Sequence, residues 1–384
     1  MGEWVEKRIN DIVEVFSGGT PSTAVAEYWD GDISWITPND LSNHKERYIS
    51  HGERSITKEG LNKSAAKLLP RNTVLLTTRA PIGYLAIAEK EVSTNQGFKN
   101  LVCHNNQIDY QFLYYYIKLN VEYFKAFATG ATFPELSGST LKRIKVKIPP
   151  LPTQTRIADI LSAYDDAIEN NNRRIALLEK AARELYKEWF VRFRFPGYEK
   201  ARFVDGLPEG WERVKFKNNI SYITGTLDSN EMVTDGQYSF YTCAKTIYKT
   251  DTYCYDGECV LLGGNNATGD FSLFYANEKL NAYQRTYIVT PLNNHLSCSY
   301  IYFVLEDYLH HSKVSSTGAA TKFLTKRMLD NFYIILPSQQ LCDEYKRVAK
   351  ILFDEKINLQ SQSQNLARQR DLLLPRLMSG KLEA

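Results

Sequence analysis

The chain carries a long stretch of apolar residues at helical spacing. From Ile157 to Trp189, apolar positions recur in alternating steps of four and three with one gap, the pattern of a coiled-coil seam. Pro152 disfavours helix before it, Thr153 can cap the first turn, and Pro196-Gly197 ends the pattern. The sequence therefore predicts one long helix between Thr153 and these terminators.

The gap in this seam is Asn171. A single amide at a seam position fixes the register of the partner helix at some cost in stability. The apolar positions of the pattern are Ile157, Leu161, Tyr164, Ile168, Ile175, Leu178, Ala182, Leu185 and Trp189. We expect Asn171 to face a polar part of the partner helix.

A second long helix is predicted from Ser338 to about Leu374, ended by Pro375. Its middle, residues 360–365, is polar and offers a partner for Asn171. Its seam consists of Val348, Leu352, Leu359, Leu366 and Leu373.

Helices of this length reach ~60 Å, which exceeds the diameter of an ordinary domain. We therefore expect the two seams to pack on each other antiparallel, as a coiled coil, because each helix follows its own domain and the chain must return. The alternative is that each helix packs on its own domain as an ordinary amphipathic helix.

The rest of the chain repeats itself. WVEKRINDIVEVFSGGTPS, from Trp4, matches WERVKFKNNISYITGTLDS, from Trp211, at one offset. TVLLTTRAPIGYLAI similarly resembles ECVLLGGNNATGDFSLF, and an Asn/Gln-bearing stretch follows each. The whole chain therefore consists of two copies of one unit. We expect approximate twofold symmetry to relate the two copies.

Each copy reads as a mixed α/β domain, so the predicted fold class is α+β. Strands are expected at 73–78, 98–103, 259–262 and 286–290, and a tyrosine-rich helix at 110–119 and 300–309 with its tyrosines packed on a sheet. The predicted domains are residues 1–150 and 198–337, with helical segments at 151–197 and 338–384.

Composition bounds the function. A hydrophobic fraction of 43% and a charged fraction of 24% over 384 residues are typical of a globular protein of two domains. No apolar run approaches ~18 residues, so a cytoplasmic location is expected. The six scattered cysteines predict reduced thiols, not a metal site. The net charge of +3 excludes nucleic-acid binding by bulk charge alone.

Three segments resemble the specificity subunits of type I restriction-modification enzymes, and the likeness covers essentially the full chain. FSGGTPSTAVAEYWDGDISWITPNDL resembles the opening of the first recognition domain of that family. LPTQTRIADILSAYDDAIENNNRRIALLEKAARELYKEWFVRFRFPG resembles its central helical region, and LLLPRLMSGKLEA its C-terminal end. One departure is Gly225-Thr226-Leu227 in the second copy, where the first has Gly18-Gly19-Thr20-Pro21.

The resemblance implies a noncatalytic subunit of a type I restriction endonuclease and DNA adenine methyltransferase complex. Two target-recognition domains would each read half of a split, asymmetric duplex DNA site, and the helices would set the spacing and dock two methyltransferase subunits. Motor-nuclease subunits would join that core. S-adenosylmethionine, ATP and magnesium would serve those partners, so no cofactor or metal is expected on this chain.

The catalytic motifs of the rival classes are missing from the sequence. The one Pro-Pro pair, Pro149-Pro150, lies outside the Asn/Asp-Pro-Pro-aromatic context of an amino-methyltransferase, and Gly380-Lys381 lacks the following Ser/Thr of a phosphate loop. Two alternatives remain open: a self-contained DNA-modifying enzyme without recognisable motifs, and a helical scaffold that does not contact DNA.

Polar loops at corresponding places in the two copies are the candidate DNA-reading segments, because Asn and Gln pair with adenine and Arg and Lys with guanine. The same residue types also form ordinary turns. The segments are 37–40, 77–79, 94–99 and 129–133 in the first copy, and 242–249, 263–268, 282–285 and 316–322 in the second. The candidate residues are Asn39, Arg79, Asn95, Gln96, Lys99, Thr132, Lys245, Asn265, Asn266, Gln284, Arg285 and Lys322.

Overall fold

The computed structural model describes residues 3–42, 44, 46–79, 81–130, 132, 134–267, 269–315 and 322–383. The chain forms two compact units. Unit 1 comprises residues 1–173 and 360–384, and unit 2 comprises residues 174–359.

Unit 1 is built on a five-stranded sheet of order β2-β9-β6-β7-β4. A three-stranded sheet, β5-β3-β8, and the antiparallel pair β1-β10 complete it. Its strands are β1 (Val5–Arg8), β2 (Val13–Ser17), β3 (Trp29–Ile36), β4 (Tyr48–Ile49), β5 (Arg54–Ile56), β6 (Val74–Thr77), β7 (Leu85–Ala88), β8 (Ser93–Thr94), β9 (Phe98–Cys103) and β10 (Lys145–Ile148). Its helices are α1 (Ile9–Ile12), α2 (Pro38–Ser42), α3 (Lys58–Asn62), α4 (Tyr110–Leu119), α5 (Val121–Lys125), α6 (Gly138–Arg143), the first part of α7 (Leu151–Tyr186) and the last part of α10 (Gln339–Met378).

Unit 2 is built on a six-stranded sheet of order β14-β20-β17-β19-β15-β16. Its strands are β11 (Phe203–Val204), β12 (Leu207–Pro208), β13 (Glu212–Lys215), β14 (Ile220–Thr224), β15 (Tyr238–Tyr241), β16 (Tyr248–Thr250), β17 (Tyr255–Gly263), β18 (Asn265–Asn266), β19 (Leu273–Ala282), β20 (Thr286–Pro291), β21 (Lys322–Phe323) and β22 (Tyr333–Leu336). Its helices are the last part of α7, α8 (Cys298–Ser315), α9 (Lys326–Asp330) and the first part of α10.

The two sheets confirm the duplication that the sequence predicts. In unit 1, β9 lies between β2 and β6, just as β20 lies between β14 and β17 in unit 2, and these pairs are antiparallel. The parallel pair β4-β7 has its counterpart in the parallel pair β15-β19. The four predicted strands and the helix at 110–119 are confirmed, and Tyr114 and Tyr115 are buried in the core.

The ends of the long helices differ from the prediction. Helix α7 already begins at Leu151, so Thr153 lies in its first turn and is not the cap. Pro152 is tolerated there because the first-turn amides have no partner within a helix. Regular α-helix ends at Tyr186 and continues as a π-helical turn to Val191. Helix α10 runs through Pro375 to Met378, so this proline lies in the last turn and does not end the helix where the sequence predicted.

The long helices run antiparallel. In unit 2, Arg174 of α7 lies 2.7 Å from Glu355 of α10. Later in the chain, the ring of Phe190 lies 4.9 Å from that of Tyr345. A later residue on the first long helix thus contacts an earlier residue on α10, which is the antiparallel arrangement. The predicted pairing is confirmed, but helix segments from both units also enter the domain cores, as the alternative required.

Burial along the seams follows the prediction in part. Ile157, Leu161, Asn171 and Leu359 are buried. The other predicted seam residues, Tyr164, Ile168, Ile175, Leu178, Leu185, Val348, Leu352, Leu366 and Leu373, are half-buried. In the first turns of α10 the fully buried face is instead Tyr345, Ala349 and Phe353, one position beyond the predicted seam, because this face also fills the aromatic core of unit 2.

A charged cluster joins α7 to the domain in unit 1. The side chain of Arg47, 3% exposed, forms an ion pair with Asp166 and lies 3.9 Å from Glu169, both on α7. It also donates to the hydroxyl of Tyr115 on α4 at 3.3 Å. Burial disfavours the charge of Arg47, but Tyr115 and Asp166 outweigh this and raise its pKa above the usual value.

This cluster continues into α10. Tyr115 donates its hydroxyl to Asp165 Oδ2 at 2.5 Å, and Asp165 forms an ion pair with Arg370. Burial is the main reason that the pKa of Tyr115 is raised, so the phenol stays a donor. We call Arg47, Tyr115, Asp165, Asp166, Glu169 and Arg370 the charged joint.

In unit 2, an aromatic cluster connects the long helices to the domain. The ring of Phe190 lies 4.8 Å from Tyr300 of α8, 4.9 Å from Tyr345 of α10 and 5.9 Å from Trp211. Tyr186 packs on the same group. We call Tyr186, Phe190, Trp211, Tyr300 and Tyr345 the aromatic joint.

Candidate nucleic-acid interface

In unit 1 the backbone brings the predicted polar segments together. Where β6 ends and β9 begins, the amide of Thr78 donates to the carbonyl of Gly97 at 2.8 Å, and the amide of Leu136 donates to the carbonyl of Thr78 at 2.9 Å. The amide of Asn95 donates to the carbonyl of Ile36 at 3.0 Å, which places segment 37–40 beside them. We call segments 37–40, 77–79, 94–99 and 129–136 the first loop cluster.

Glycines from the repeated motif close this cluster. A side chain at Gly18 would place its Cβ 1.9 Å from the carbonyl oxygen of Asn95, a distance that no side chain tolerates. In unit 2, a Cβ at Gly225 would lie 1.8 Å from the carbonyl oxygen of Ala282. The matching glycines of the two repeats are therefore needed where β2 and β14 end close to the backbone at Asn95 and Ala282.

Glu135 forms charge contacts within the first loop cluster. Its Oε2 lies 2.9 Å from Nε of Arg79, and its Oε1 lies 3.9 Å from Nζ of Lys99. The Lys99 side chain is only 8% exposed, and this burial lowers the pKa of Lys99 while Glu135 opposes the shift. Sequence reasoning missed Glu135, although it stands three residues after the candidate Thr132.

The remaining candidates of the first copy divide into exposed and structurally engaged residues. Asn39 and Thr132 are exposed. Asn95 uses its side-chain oxygen to accept from the amide of Gly97 at 2.9 Å, which is the turn-forming alternative. The exposed Gln96 accepts from the hydroxyl of Thr20. Residues 131 and 133 lie outside the described residues.

Unit 2 assembles its candidates in the same way. The amide of Gly264 donates to the carbonyl of Arg285 at 2.7 Å, next to the exposed Gln284. Lys245 forms an ion pair with Asp270, whose amide donates to the side chain of Asn266 at 3.2 Å. We call segments 242–249, 263–270, 282–285 and 322–324 the second loop cluster.

Some candidates of the second copy are described only in part. Strand β21 pairs Lys322 with Asn266 and Phe323 with Asn265, but the side chain of Lys322 lies outside the described residues. Residue 268 and the predicted loop 316–321 lie wholly outside the described residues.

The buried cysteine thiols of unit 2 have raised pKa values. Burial raises the pKa of the thiols of Cys259 and Cys298, which keeps them protonated. No group of three or more His, Cys, Asp or Glu side chains among the described residues could hold a metal ion. In the same part of the chain, no helix is both long and apolar enough to cross a membrane.

Comparison with known proteins identifies the family. The family described as "Type I restriction modification DNA specificity domain" matches residues 1–180 and 208–367. The chain belongs to this family. Each matched range covers one of the two repeats and part of a long helix, as expected for a duplicated type I specificity subunit.

Named relatives of this type I specificity subunit agree. The MjaIX specificity subunit of Methanocaldococcus jannaschii is 34% identical over 99% of this chain and 94% of its own length. The EcoDI specificity subunit of Escherichia coli is 29% identical over 46% of this chain and 39% of its own length. The crystal structure of an S subunit from M. genitalium has the same fold, with a TM-score of 0.67, 16% identity and coverage of 98% and 96% of the two chains.

Proposed function

We propose that this type I specificity subunit is a noncatalytic reader of a bipartite, asymmetric duplex DNA target, with one half-site read by each loop cluster. The supporting observation is that polar segments converge at the same place in both repeats but carry different side chains. Equivalent scaffolds with different reading residues predict two different half-sites.

In this proposal the paired helices set the distance between the half-sites and dock two methyltransferase subunits, which motor-nuclease subunits then join. Helix α7 has 36 residues and α10 has 40, which correspond to lengths of about 54 and 60 Å. Major grooves on one face of B-DNA recur every ~34 Å, a distance that helices of these lengths can span. S-adenosylmethionine, ATP and magnesium belong to the partner subunits.

Methylation profiling of a genome that carries this chain and its partner subunits tests the proposal. Exchanging the first loop cluster for that of another specificity subunit is expected to change one half-site and leave the other intact. Methyl transfer to DNA by the purified chain alone would establish the self-contained enzyme instead. An assembled complex whose sequence preference ignores exchange of either cluster would establish the scaffold.

A change of helix length tests the spacing role. We predict that one heptad inserted after Asn172, with a second heptad after Gln362 in α10, lengthens the tolerated gap and preserves both half-site sequences. Inserting in both helices keeps the antiparallel seam in register. Methylation profiling reads the gap directly. New half-site sequences at an unchanged gap would refute the spacing role.

A further inference from the structure

The two loop clusters share one backbone frame, from which equivalent positions can be assigned. The last paired residues of β6 and β9 are Thr77 and Phe98, and those of β17 and β20 are Gly263 and Thr286. In both units the residue after the first strand donates its amide to the residue before the second, at 2.8 Å in unit 1 and 2.7 Å in unit 2.

In each unit a third segment then pairs with the residues that follow the first strand. The amide of Leu136 donates to the carbonyl of Thr78 at 2.9 Å, and the amide of Leu324 donates to the carbonyl of Gly264 at 2.8 Å. The next position pairs antiparallel in both units: Arg79 with Glu135, and Asn265 with Phe323. Arg79 and Asn265 are therefore equivalent.

The side chains at this frame differ between the repeats. Glu135 lies against both Arg79 and Lys99, at 2.9 and 3.9 Å. At the position of Lys99, unit 2 has Tyr287, whose hydroxyl donates to the carbonyl of Leu324 at 3.0 Å. Phe323, at the position of Glu135, is 53% exposed. The charged set of unit 1 is thus replaced by an amide and two aromatic residues.

The contact between Arg79 and Glu135 is better suited to orientation than to stability. The Arg79 side chain is 52% exposed and that of Glu135 is 33% exposed, and ion pairs at such exposure stabilise a fold little. Glu135 engages Arg79 through Nε, on the inner side of the guanidinium. A guanidinium held at this atom keeps its two terminal amino groups for a bidentate contact, as guanine recognition requires.

We propose that Arg79 and Asn265 read bases from equivalent positions, Arg79 a guanine in the first half-site and Asn265 an adenine in the second, with Glu135 as the positioning residue for Arg79. This inference rests on the proposed function and adds to it which base class each repeat reads at this position. Arginine pairs bidentately with guanine and asparagine with adenine, which gives the two repeats different preferences on one frame.

Base-preference selection on the assembled complex, with a randomised target library, tests the two readers. Arg79→Gln is expected to replace a guanine preference at one base pair of the first half-site by an adenine preference, and to leave the second half-site unchanged. Asn265→Ala is expected to relax one adenine of the second half-site by roughly 5- to 150-fold. A guanine kept by Arg79→Gln, or an adenine kept by Asn265→Ala, overturns the assignment.

The variant Glu135→Gln distinguishes a positioning role of Glu135 from a purely structural one. It is expected to reduce discrimination at the base pair read by Arg79 about tenfold or more, while affinity for unrelated DNA stays equal or rises because a negative charge is lost. Glu122→Gln is the matched control, since it breaks the exposed ion pair with Lys125 away from the cluster. Equal losses of affinity for target and unrelated DNA would show that Glu135 has only a structural role.

These outcomes are distinct from a failure of the proposed function. If exchange of a whole loop cluster changes a half-site but the single variants do not, the readers are wrong and the proposed function stands. If the wild-type complex shows no half-site preference at all, both fail.

Discussion

The charged joint and the aromatic joint both connect the long helices to a domain, but they do so through different kinds of side-chain contact. The charged joint of unit 1 uses Arg47, enclosed by carboxylates of α7 and a tyrosine of α4. The aromatic joint of unit 2 uses Phe190, enclosed by the rings of Tyr300, Tyr345 and Trp211. The order of the first four strands in the sheet of unit 1 recurs in unit 2, so the two joints connect related domains to the helices through different side chains.

The two kinds of contact respond differently to a rotation or substitution of their side chains. Ring packing depends on shape and buried area and tolerates small rotations, whereas hydrogen-bonded charges require their partners in fixed directions. A buried ion pair adds little net stability when intact but is costly when one partner is removed. We therefore expect the aromatic joint to contribute more to stability and the charged joint to impose a more specific geometry.

The largest effect is expected for Phe190→Ala. Phe190 is 5% exposed, and its loss would leave a cavity between α7, α8 and α10, so the free energy of unfolding of unit 2 should fall by about 3 to 5 kcal/mol. Denaturant unfolding with hydrogen exchange at α8 measures this. Phe203→Ala, at a ring 51% exposed in the same unit, is the control and should cost under about 1 kcal/mol. Equal losses in the two variants would contradict a stabilising aromatic joint.

A smaller loss is expected for Arg47→Met. It leaves Glu169, 13% exposed, and the hydroxyl of Tyr115 without their cation, but Asp166 remains solvated, so we expect about 2 to 3 kcal/mol. Hydrogen exchange should rise in α4 and not in α8. Arg174→Met removes a pair that is 50% and 38% exposed and should change the free energy of unfolding by no more than about 1 kcal/mol. Unchanged protection of α4 in Arg47→Met would show that the charged joint does not hold this helix.

The smallest effect concerns pH. Burial raises the pKa of Glu169, an effect that its contacts with Arg47 only partly oppose. A carboxyl whose pKa is higher in the folded state binds more protons there, so its contribution to stability is present below its unfolded pKa and lost as pH rises through the folded value. Glu169→Gln should therefore flatten the fall in stability as pH rises above about 4.5. An unchanged pH profile of unfolding would contradict this.

Much of the fold could be predicted from sequence because it depends on local periodicity. The strands at 98–103 and 286–290 and the helix at 110–119 follow from short-range patterns that the structure confirms. The predictions were wrong where a helix end or face depends on its surroundings. Thr153 does not cap α7, Pro375 does not end α10, and the face of Ala349 is turned towards a core that the seam pattern could not reveal.

The candidate interface divides in the same way. Turn-forming and base-pairing residue types marked the candidate segments, and the structure brings their described parts together in each unit. The contact of Glu135 with Arg79 and the equivalence of Arg79 with Asn265 were not visible, because they depend on segments that pair from more than fifty residues away.

By itself, the sequence determined the duplicated unit, the two long helices and the family, since each is written in residues close along the chain. The tertiary structure alone decided the two joints and the shared frame of the loop clusters. Arg47 meets Asp166, and Arg79 meets Glu135, only because strands and helices distant in sequence are packed together. No local pattern encodes which charged or aromatic side chains such packing brings into contact.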